Sequence, residues 1–543
     1  MFIGLNYSLH QTNFKNMRNR RKKDLLIFGN IKDENFDFQQ IEKYYRSKKQ
    51  EDVLQSLSDK TCEDLDFQEL FMFVDRTASK VGQQYLYHQL RSIPKQPKPW
   101  AHEEKIMDAF TEDANFRDAV RKQLAKLSKD EASLIAGLFQ EAHLKPPRWF
   151  FVVPVLSLFS LLSLTLLCLS SVFVIPLVII LLVNMGIHYW NKKNLYGYIG
   201  SIPQLLQMNH VASKLFQQPL FRFMNPNLQA SFQIINQVRN RMFFFQLEAK
   251  IQGDLAAVFW SLLEVMKICF LVEPLLLFGV LKRLSNKRKA IEELFMFVGQ
   301  IDVLYSIASL RHGLDYYCKP QIENRDDVFS VQEMYHPLIK DCVVNSIYLH
   351  DKSVLLTGSN MSGKTSFVRS VGLNVLTGLT LNTCFAKTMI TPYTRIYSAI
   401  RISDDLMNDK SYYFEEVQSI KEMIDRKDDS HHNLFLLDEI YKGTNTIERV
   451  AAGKAVLSAL AVKNNKVMVS THDMELTDML CDQYDLYHFS ETINNNNVDF
   501  DYKLKKGKIF RRNAIRILEL NGYPEEIIKD AHETAQILDH SEI

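Results

Sequence analysis

The sequence predicts an α/β domain on a parallel sheet at its C-terminal end, preceded by a mostly α-helical region that is interrupted by an apolar two-helix hairpin. Three observations carry this. From about Asp326 onward, compact apolar runs such as "SVLLTG", "NLFLLDE" and "KVMVSTHD" end in polar residues and alternate with helical texture, the pattern of an α/β domain whose site lies at the strand C-termini. Earlier segments, among them "DFQELFMFVDRTASKVGQQYLYHQLRSI", "NFRDAVRKQLAKLSKDEASLIAGLF" and "KRKAIEELFMFVGQIDVLYSIASLRHGLDYY", space apolar residues by three and four with charges between them, as amphipathic helices do. The third observation is a run of 42 residues, Trp149 to Trp190, without one charged side chain, in a chain that is 24% charged.

That run suffices for two membrane passes, since a bilayer core takes about 20 apolar residues per helix. Ser170 and Ser171 mark the turn, with Pro154 and Pro176 near the helix starts. Lys145 and Arg148 flank one end, Lys192 and Lys193 the other, and Trp149, Tyr189 and Trp190 stand where interfacial aromatics belong. Both ends are then expected on the cytoplasmic side. The run shows no polar stripe, which argues against a buried soluble hairpin. A shorter apolar run, Ile268 to Leu281, contains Glu273 and is expected to be a core or interfacial helix.

Bulk properties narrow the rest. A length of 543 residues allows roughly two to four domains. Sixty-five Lys plus Arg against 63 Asp plus Glu leave +2, so any polyanion-binding surface has to be local. The clusters are Arg18 to Lys23, Lys282 to Lys289 and Lys503 to Arg512, the second with five cations in eight residues. Seven scattered cysteines, without a C-x-x-C or a zinc-type spacing, read as thiols in a reducing compartment. The basic N-terminal run lacks the apolar segment of a secretory signal.

The chemistry sits at the strand ends. "SVLLTG" runs into Gly358-Ser359-Asn360-Met361-Ser362-Gly363-Lys364-Thr365, followed by Ser366 and an apolar helix, which satisfies G-x-x-x-x-G-K-[ST] in its strand-before, helix-after context. In such a loop the backbone N–H groups curl around phosphate oxygens, Lys364 reaches the β and γ phosphates, and the Thr365 hydroxyl is placed to hold Mg²⁺. "NLFLLDE" ends in Asp438 and Glu439, a Walker B pairing in which Asp438 positions Mg²⁺ and Glu439 polarises the attacking water. "KVMVSTH" delivers His472 to the same sheet edge, where an imidazole can sense the γ-phosphate.

At this point the sequence resembles the MutS mismatch-repair family. "TGSNMSGKTSFVRSVGLNVL" resembles its P-loop, "YHPLI" and "VVNSIYL" the segments before it, and "TRIYSAIRISDDL" the segment ending in Asp-Asp. "SYYFEEV" resembles its Ser-Thr-Phe-Met-x-Glu-Met signature, "LLDEIYKGTNTIE" its Walker B and following loop, "STHDMELTDM" its Thr-His switch, and "LELNGYPEEIIKDA" its C-terminal ending. "LFMFVDRTASKVGQQYLYHQLRSIP" and "QIDVLYSIASLR" are similar to the start and return of the family's helical lever.

The resemblance implies an ABC-type P-loop ATPase with ATP and Mg²⁺ as cofactors, working as a homodimer in which Ser411 acts in trans on the partner's nucleotide and Asn360 contacts phosphate. It also implies DNA as a partner, in a mismatch-repair-related role. Departures qualify it: Ser359 and Ser362 replace Pro and Gly, Tyr412 and Tyr413 replace Thr-Phe, and Tyr441 and Lys442 replace Gly-Arg. The stretch before the lever-like segment is too short for the family's mismatch-reading and connector domains, and Phe-x-Glu triplets at Phe67, Phe110 and Phe139 lie in helical texture without them.

The expected organisation is an N-terminal segment over 1–50, a helical lever over 51–148 and 191–325, a transmembrane hairpin over 149–190, and the ATPase domain over 326–543, cytoplasmic like the N-terminus. An alternative keeps the motor but replaces DNA with a membrane or protein partner. A transporter is not expected, because the hairpin carries no charge that would mark a polar pathway.

Overall fold

Chain contacts divide the protein into a helical unit, residues 1–49, 75–88 and 101–312, and a sheet-bearing unit, residues 50–74, 89–100 and 313–543. Parts of the stretch expected to be lever are thus counted with the sheet-bearing unit. The computed structural model describes residues 28–48, 52–237, 257–323, 328–359, 361–401, 412–426, 431–462, 464–494, 497–508, 514–520 and 522–541.

The helical unit contains α1 (Ala101–Glu112), α2 (Val152–Leu167), α3 (Val174–Ile199), α4 (Ser201–Phe216), α5 (Ala257–Phe270), α6 (Val272–Ser285) and α7 (Arg288–His312). Its centre is α7. That helix is apolar and long enough to cross a membrane, yet 83% of its most apolar window is buried inside the protein, so it is a core helix. Arg311 closes α7 onto α1 with two bonds to the Glu104 carboxylate, 2.9 and 3.0 Å. Asp302, fully buried on α7, accepts the N–H groups of Ala78 and Ser79 at 2.8 Å each. It thereby satisfies backbone donors where the chain enters the helix Lys80–Arg91. Gly299 admits the same helix closely, since a Cβ there would lie 2.6 Å from that of Tyr85.

The 42-residue run folds as α2 and α3, which pack on each other and are joined through residues 168–173. Only 17% and 11% of their most apolar windows are buried, the reverse of α7. Leu158, Leu169, Ile175 and Leu182 point outward. Trp149 and Trp190 meet at the base of the pair with ring centroids 4.9 Å apart.

Two readings of this region need correction. The run does carry a polar stripe: Asn184, His188 and Asn191, spaced by four and three on α3, are fully buried, and Ser160 and Ser163 of α2 are buried too. Asn184 donates to Ser160 Oγ at 3.0 Å and to the Cys269 carbonyl at 2.8 Å. Nor does the stripe lack charged company, because the charges arrive from elsewhere in the chain. The run Ile268 to Leu281 is split at Leu271, whose φ of +44° separates α5 from α6, and both helices pack on the hairpin. There His188 Nε2 lies 3.1 Å from Glu264, and its Nδ1 3.4 Å from Glu273. Lys267 bridges the two carboxylates at 3.3 and 3.1 Å, and Lys192 pairs with Glu264. Two acids face two lysines, so the network is balanced. Buried charge in an apolar setting persists only when paired in this way.

The sheet-bearing unit is organised by strands β1 (Val53–Ser56), β2 (Ser92–Pro94), β3 (Gln321–Ile322), β4 (Phe329–Met334), β5 (Asn345–Leu349), β6 (Ser353–Thr357), β7 (Thr388–Thr391), β8 (Thr394–Ala399), β9 (His432–Asp438), β10 (Asn465–Ser470), β11 (Tyr484–His488), β12 (Glu491–Asn494), β13 (Asn497–Phe500) and β14 (Lys505–Lys506). Six of them form the main sheet in the order β14-β11-β6-β10-β9-β8, parallel except for β14. The expected strands "SVLLTG", "NLFLLDE" and "KVMVSTHD" are β6, β9 and β10, at its centre.

β6 and β10 are buried at every position, which is why their sequences read as continuous apolar runs rather than alternating ones. Helices α8 (Lys364–Leu381), α9 (Tyr412–Asp425) and α10 (Thr446–Leu460) cover the sheet, and α11 (Glu525–Ser541) lies near the C-terminal end of the chain. The edge strand β8 is covered by the early segment: Asp64 accepts from Ser398 Oγ, Ile400 N and Arg401 N at 2.6, 3.1 and 2.7 Å, and Gln55 pairs with the Ile396 backbone. A second, four-stranded sheet has the order β3-β7-β4-β5.

Candidate nucleotide site

Parallel pairing in register places the ends of β6, β9 and β10 side by side: Ser470 pairs with Leu356 on one flank and with Asp438 on the other. The ladder continues beyond the strands, with Glu439 N–H donating to Ser470 O at 2.8 Å and Thr471 N–H to Leu356 O at 2.9 Å. Everything that follows β6, β9 and β10 therefore emerges at one edge. The expected residues converge there.

From β6 the chain turns through Gly358 at φ +145°, where a Cβ would sit 2.6 Å from the Phe489 carbonyl oxygen, so only glycine fits. Met361 is exposed at the loop tip with φ +68°. Gly363, at φ +103°, caps α8 without a side chain, leaving the first N–H groups of the helix open to an anion. Lys364 is buried at the start of α8 and curls back to donate to the carbonyls of Gly358 and Ser359, 2.8 and 2.9 Å away. Burial pushes its ammonium pKa below the ordinary lysine value. Thr365 Oγ1 donates to Asp438 Oδ2 at 2.7 Å, and Ser470 Oγ donates to the other carboxylate oxygen. Ser366 lies one residue further into α8, its carbonyl accepting from Ser370 at 2.7 Å.

Glu439 sits one residue past β9 at φ +51°. Its carboxylate is clamped from both sides, by His472 Nε2 at 2.8 Å and by Lys442 Nζ at 2.6 Å. The bond with His472, with help from Lys442 and against burial, holds its pKa down at about 2. His472 Nε2 is also 3.4 Å from Lys364 Nζ, so the lysine, the imidazole and the carboxylate form one chain of contacts. Asn360 and Ser411 lie outside the described residues.

The fit to a phosphate and a divalent ion can be tested on these atoms. Ser362 is 1% exposed, and its Oγ has no hydrogen-bond partner among the described residues. It is a buried hydroxyl left over in a glycine-bounded loop at a helix N-terminus, a site suited to a phosphate oxygen. The Thr365 hydroxyl and the Asp438 carboxylate are the hard oxygen donors that Mg²⁺ takes, held together at a strand end. The donor set fits both groups.

Three further residues belong to the site and were not anticipated in these roles. Lys442 acts through the contact just described. Glu416, on α9 and fully buried, accepts the Tyr441 N–H and so fixes the loop after Glu439. Tyr502, at φ +51°, places its ring edge 3.2 Å from the Cβ position of Gly363, while the Asn345 side chain holds it through the Tyr502 carbonyl at 3.0 Å and the Leu504 N–H at 2.7 Å. "SYYFEEV" did point at Glu416 by its place in the signature. Tyr502 had no local signal.

Comparison with known proteins finds similarity in this region. Residues 354–539 match MutS domain V. The span runs from β6 to α11 and contains every candidate residue just described. Proteins similar to this chain include the DNA mismatch repair protein MutS of Natronomonas pharaonis, 27% identical over 265 residues, covering 47% of this chain and 30% of that protein. That of Pseudothermotoga lettingae is 30% identical over 269 residues, 47% of this chain and 32% of its own length. That of Thermus thermophilus is 26% identical over 256 residues, 46% and 31%. The chain thus spans about a third of the length of these relatives.

The basic clusters are less uniform than their sequences. Lys282, Arg283 and Lys289 are exposed, but Lys287 donates to the Ile234 carbonyl at 3.0 Å and to Gln237 at 3.2 Å. Lys505 pairs with Asp501 at 2.6 Å, and Lys508 with Asp478. Arg18 to Lys23 lie outside the described residues.

Proposed function

We propose that this chain is a MutS-like ATPase, anchored to a membrane by α2 and α3 and working as a homodimer with DNA as its polymeric partner. The observation that carries the reading is the convergence of Lys364, Thr365, Asp438, Glu439 and His472 at one sheet edge, inside the span that matches MutS domain V. Lys364 and the open N–H groups of α8 bind the phosphates; Thr365 and Asp438 hold Mg²⁺, which supplies charge neutralisation on the phosphate oxygens. Glu439 takes a proton from the attacking water, and His472 reports the state of the γ-phosphate. Ser411 acts on the nucleotide of the other subunit.

Glu439 has to leave its clamp to act as a base. With its carboxylate held by Lys442 and His472 it is a weak proton acceptor, so hydrolysis waits on a rearrangement of those two contacts.

A second reading keeps the motor and replaces DNA with a membrane or protein partner. The outward apolar faces of α2 and α3 and the charged helices α5 and α6 packed on them favour it. ATP hydrolysis by the protein in lipid nanodiscs, with and without duplex DNA at two salt concentrations, separates the readings. Stimulation by DNA that fades with salt supports the first, and indifference to DNA the second. Absence of hydrolysis under all conditions overturns both.

A further inference from the structure

Two of the seven cysteines meet across the chain. Cys318 lies in the segment after α7 and Cys384 in the segment after α8, and each donates its N–H to the other's carbonyl, at 3.0 and 2.8 Å. They form an isolated antiparallel bridge of the hydrogen-bonded kind. Such a pair holds its Cα atoms about 5.5 Å apart. Disulfides are built on Cα separations of about 4.4–6.8 Å, most often near 5.5–6 Å. The backbone already stands at bonding distance.

The side chains are unequal in a way that suits exchange chemistry. Cys384 is buried against α8: its Sγ lies 2.8 Å from where a Cβ on Gly378 would be and 3.6 Å from the Asn374 carbonyl, so the helix fixes its position. Cys318 is partly exposed. Its thiol is in hydrogen-bond contact with Cys384, and that contact, outweighing burial, lowers its pKa below the usual thiol value. An accessible, acidified thiol beside a buried second sulfur is the arrangement of an attacking and a resolving cysteine. Cys168 and Cys481, by contrast, are exposed, on the connection between α2 and α3 and on the segment before β11.

We propose that Cys318 and Cys384 are a reversible oxidation site that closes a disulfide across this bridge. The co-reactant is a small-molecule disulfide. The Cys318 thiolate attacks one of its sulfurs and displaces a thiolate, giving a mixed disulfide. Cys384, losing its proton, then attacks Cys318 Sγ and expels the second thiol. Two protein thiols lose two electrons and two protons, and one small-molecule disulfide becomes two thiols. The resulting covalent loop contains β3 to β6, the phosphate-binding loop and α8, so the oxidised chain holds the C-terminal end of α8 to the segment around Cys318.

The test uses the full chain in detergent micelles, incubated with oxidised glutathione, alkylated and digested without reductant for mass spectrometry. The expected map contains the peptide pair joined through Cys318 and Cys384, reversed by dithiothreitol. The oxidised sample should also melt several degrees higher than the reduced one, because the crosslink restricts the unfolded chain. In Cys384→Ser the resolving sulfur is gone, and a glutathione adduct should accumulate on Cys318; in Cys318→Ala neither product forms. A wild-type map without the joined peptide overturns the proposal, whether or not Cys168 and Cys481 carry adducts.

Discussion

At Glu439 and Tyr441 the backbone passes through φ values of +51° and +61°, a left-handed conformation that ordinary side chains adopt only under constraint. Two bonds supply it: Glu439 N–H to Ser470 O, and Tyr441 N–H to the buried Glu416. Replacing Glu416 by Ala strands the Tyr441 N–H, a cost of about 1–3 kcal/mol. Phosphate release should fall in that variant while fluorescent-nucleotide affinity stays within a few-fold of wild type. Lys364→Ala should instead lose the affinity itself. Glu439→Gln should keep binding and slow hydrolysis by about 10²–10⁴-fold; equal turnover by wild type and variant would refute the assigned base.

The clamp on Glu439 also sets a pH dependence of stability. Its folded pKa, about 2, lies below the ordinary glutamate value, so its contribution is fully present above about pH 4.5 and is lost as pH falls towards 2. Melting of wild type and Glu439→Gln should therefore differ most near neutral pH and converge in acid. The loop, the Walker B pair and His472 were legible because each follows an apolar strand directly. The partners Lys442, Glu416 and Tyr502 were not, because loop conformation and distant packing bring them in.

Helices α3 and α7 show how an element's sequence and its surroundings divide the work. Both are long and apolar, but α7 is buried in protein and α3 is not. Length and composition could not separate them; Asp302 and the charges spaced along α7 could. On α3 the positions Asn184, His188 and Asn191 recur at helical spacing, and the stripe was readable in principle. It is uncharged, and its charged partners Glu264, Lys267 and Glu273 lie some eighty residues away. Glu273→Leu should destabilise the protein by about 3 kcal/mol, since it leaves Lys267 with one carboxylate instead of two. Thermal melting in detergent measures it, and a variant as stable as wild type would remove the network from the account of the fold. On α7, Gly299→Val forces a methyl into Tyr85 and should cost about 1–3 kcal/mol.

For the molecule as a whole, the proposed topology places both ends of the hairpin on one side of the bilayer and Cys168, exposed on the connection between α2 and α3, on the other. A membrane-impermeant maleimide applied to sealed cells should label Cys168 and spare the equally exposed Cys481, which reacts only after permeabilisation. Labelling of both, or of neither, in sealed cells would reject the two-pass arrangement.

The stripe on α3 has a consequence in time as well as in space. His188 leaves the ribosome 76 residues ahead of Glu264, an interval of about 4–15 s at ~5–20 residues per second. In the proposed topology, Asn184, His188 and Asn191 would stand during that interval without α5 and α6, which later pack on them, with only Ser160 already present to accept from Asn184. Under the proposed membrane topology, newly made hairpin would therefore be a client for anything that shelters polar groups in a bilayer, and synthesis halted between Asn191 and Glu264 would leave a species marked for removal by its own uncovered face.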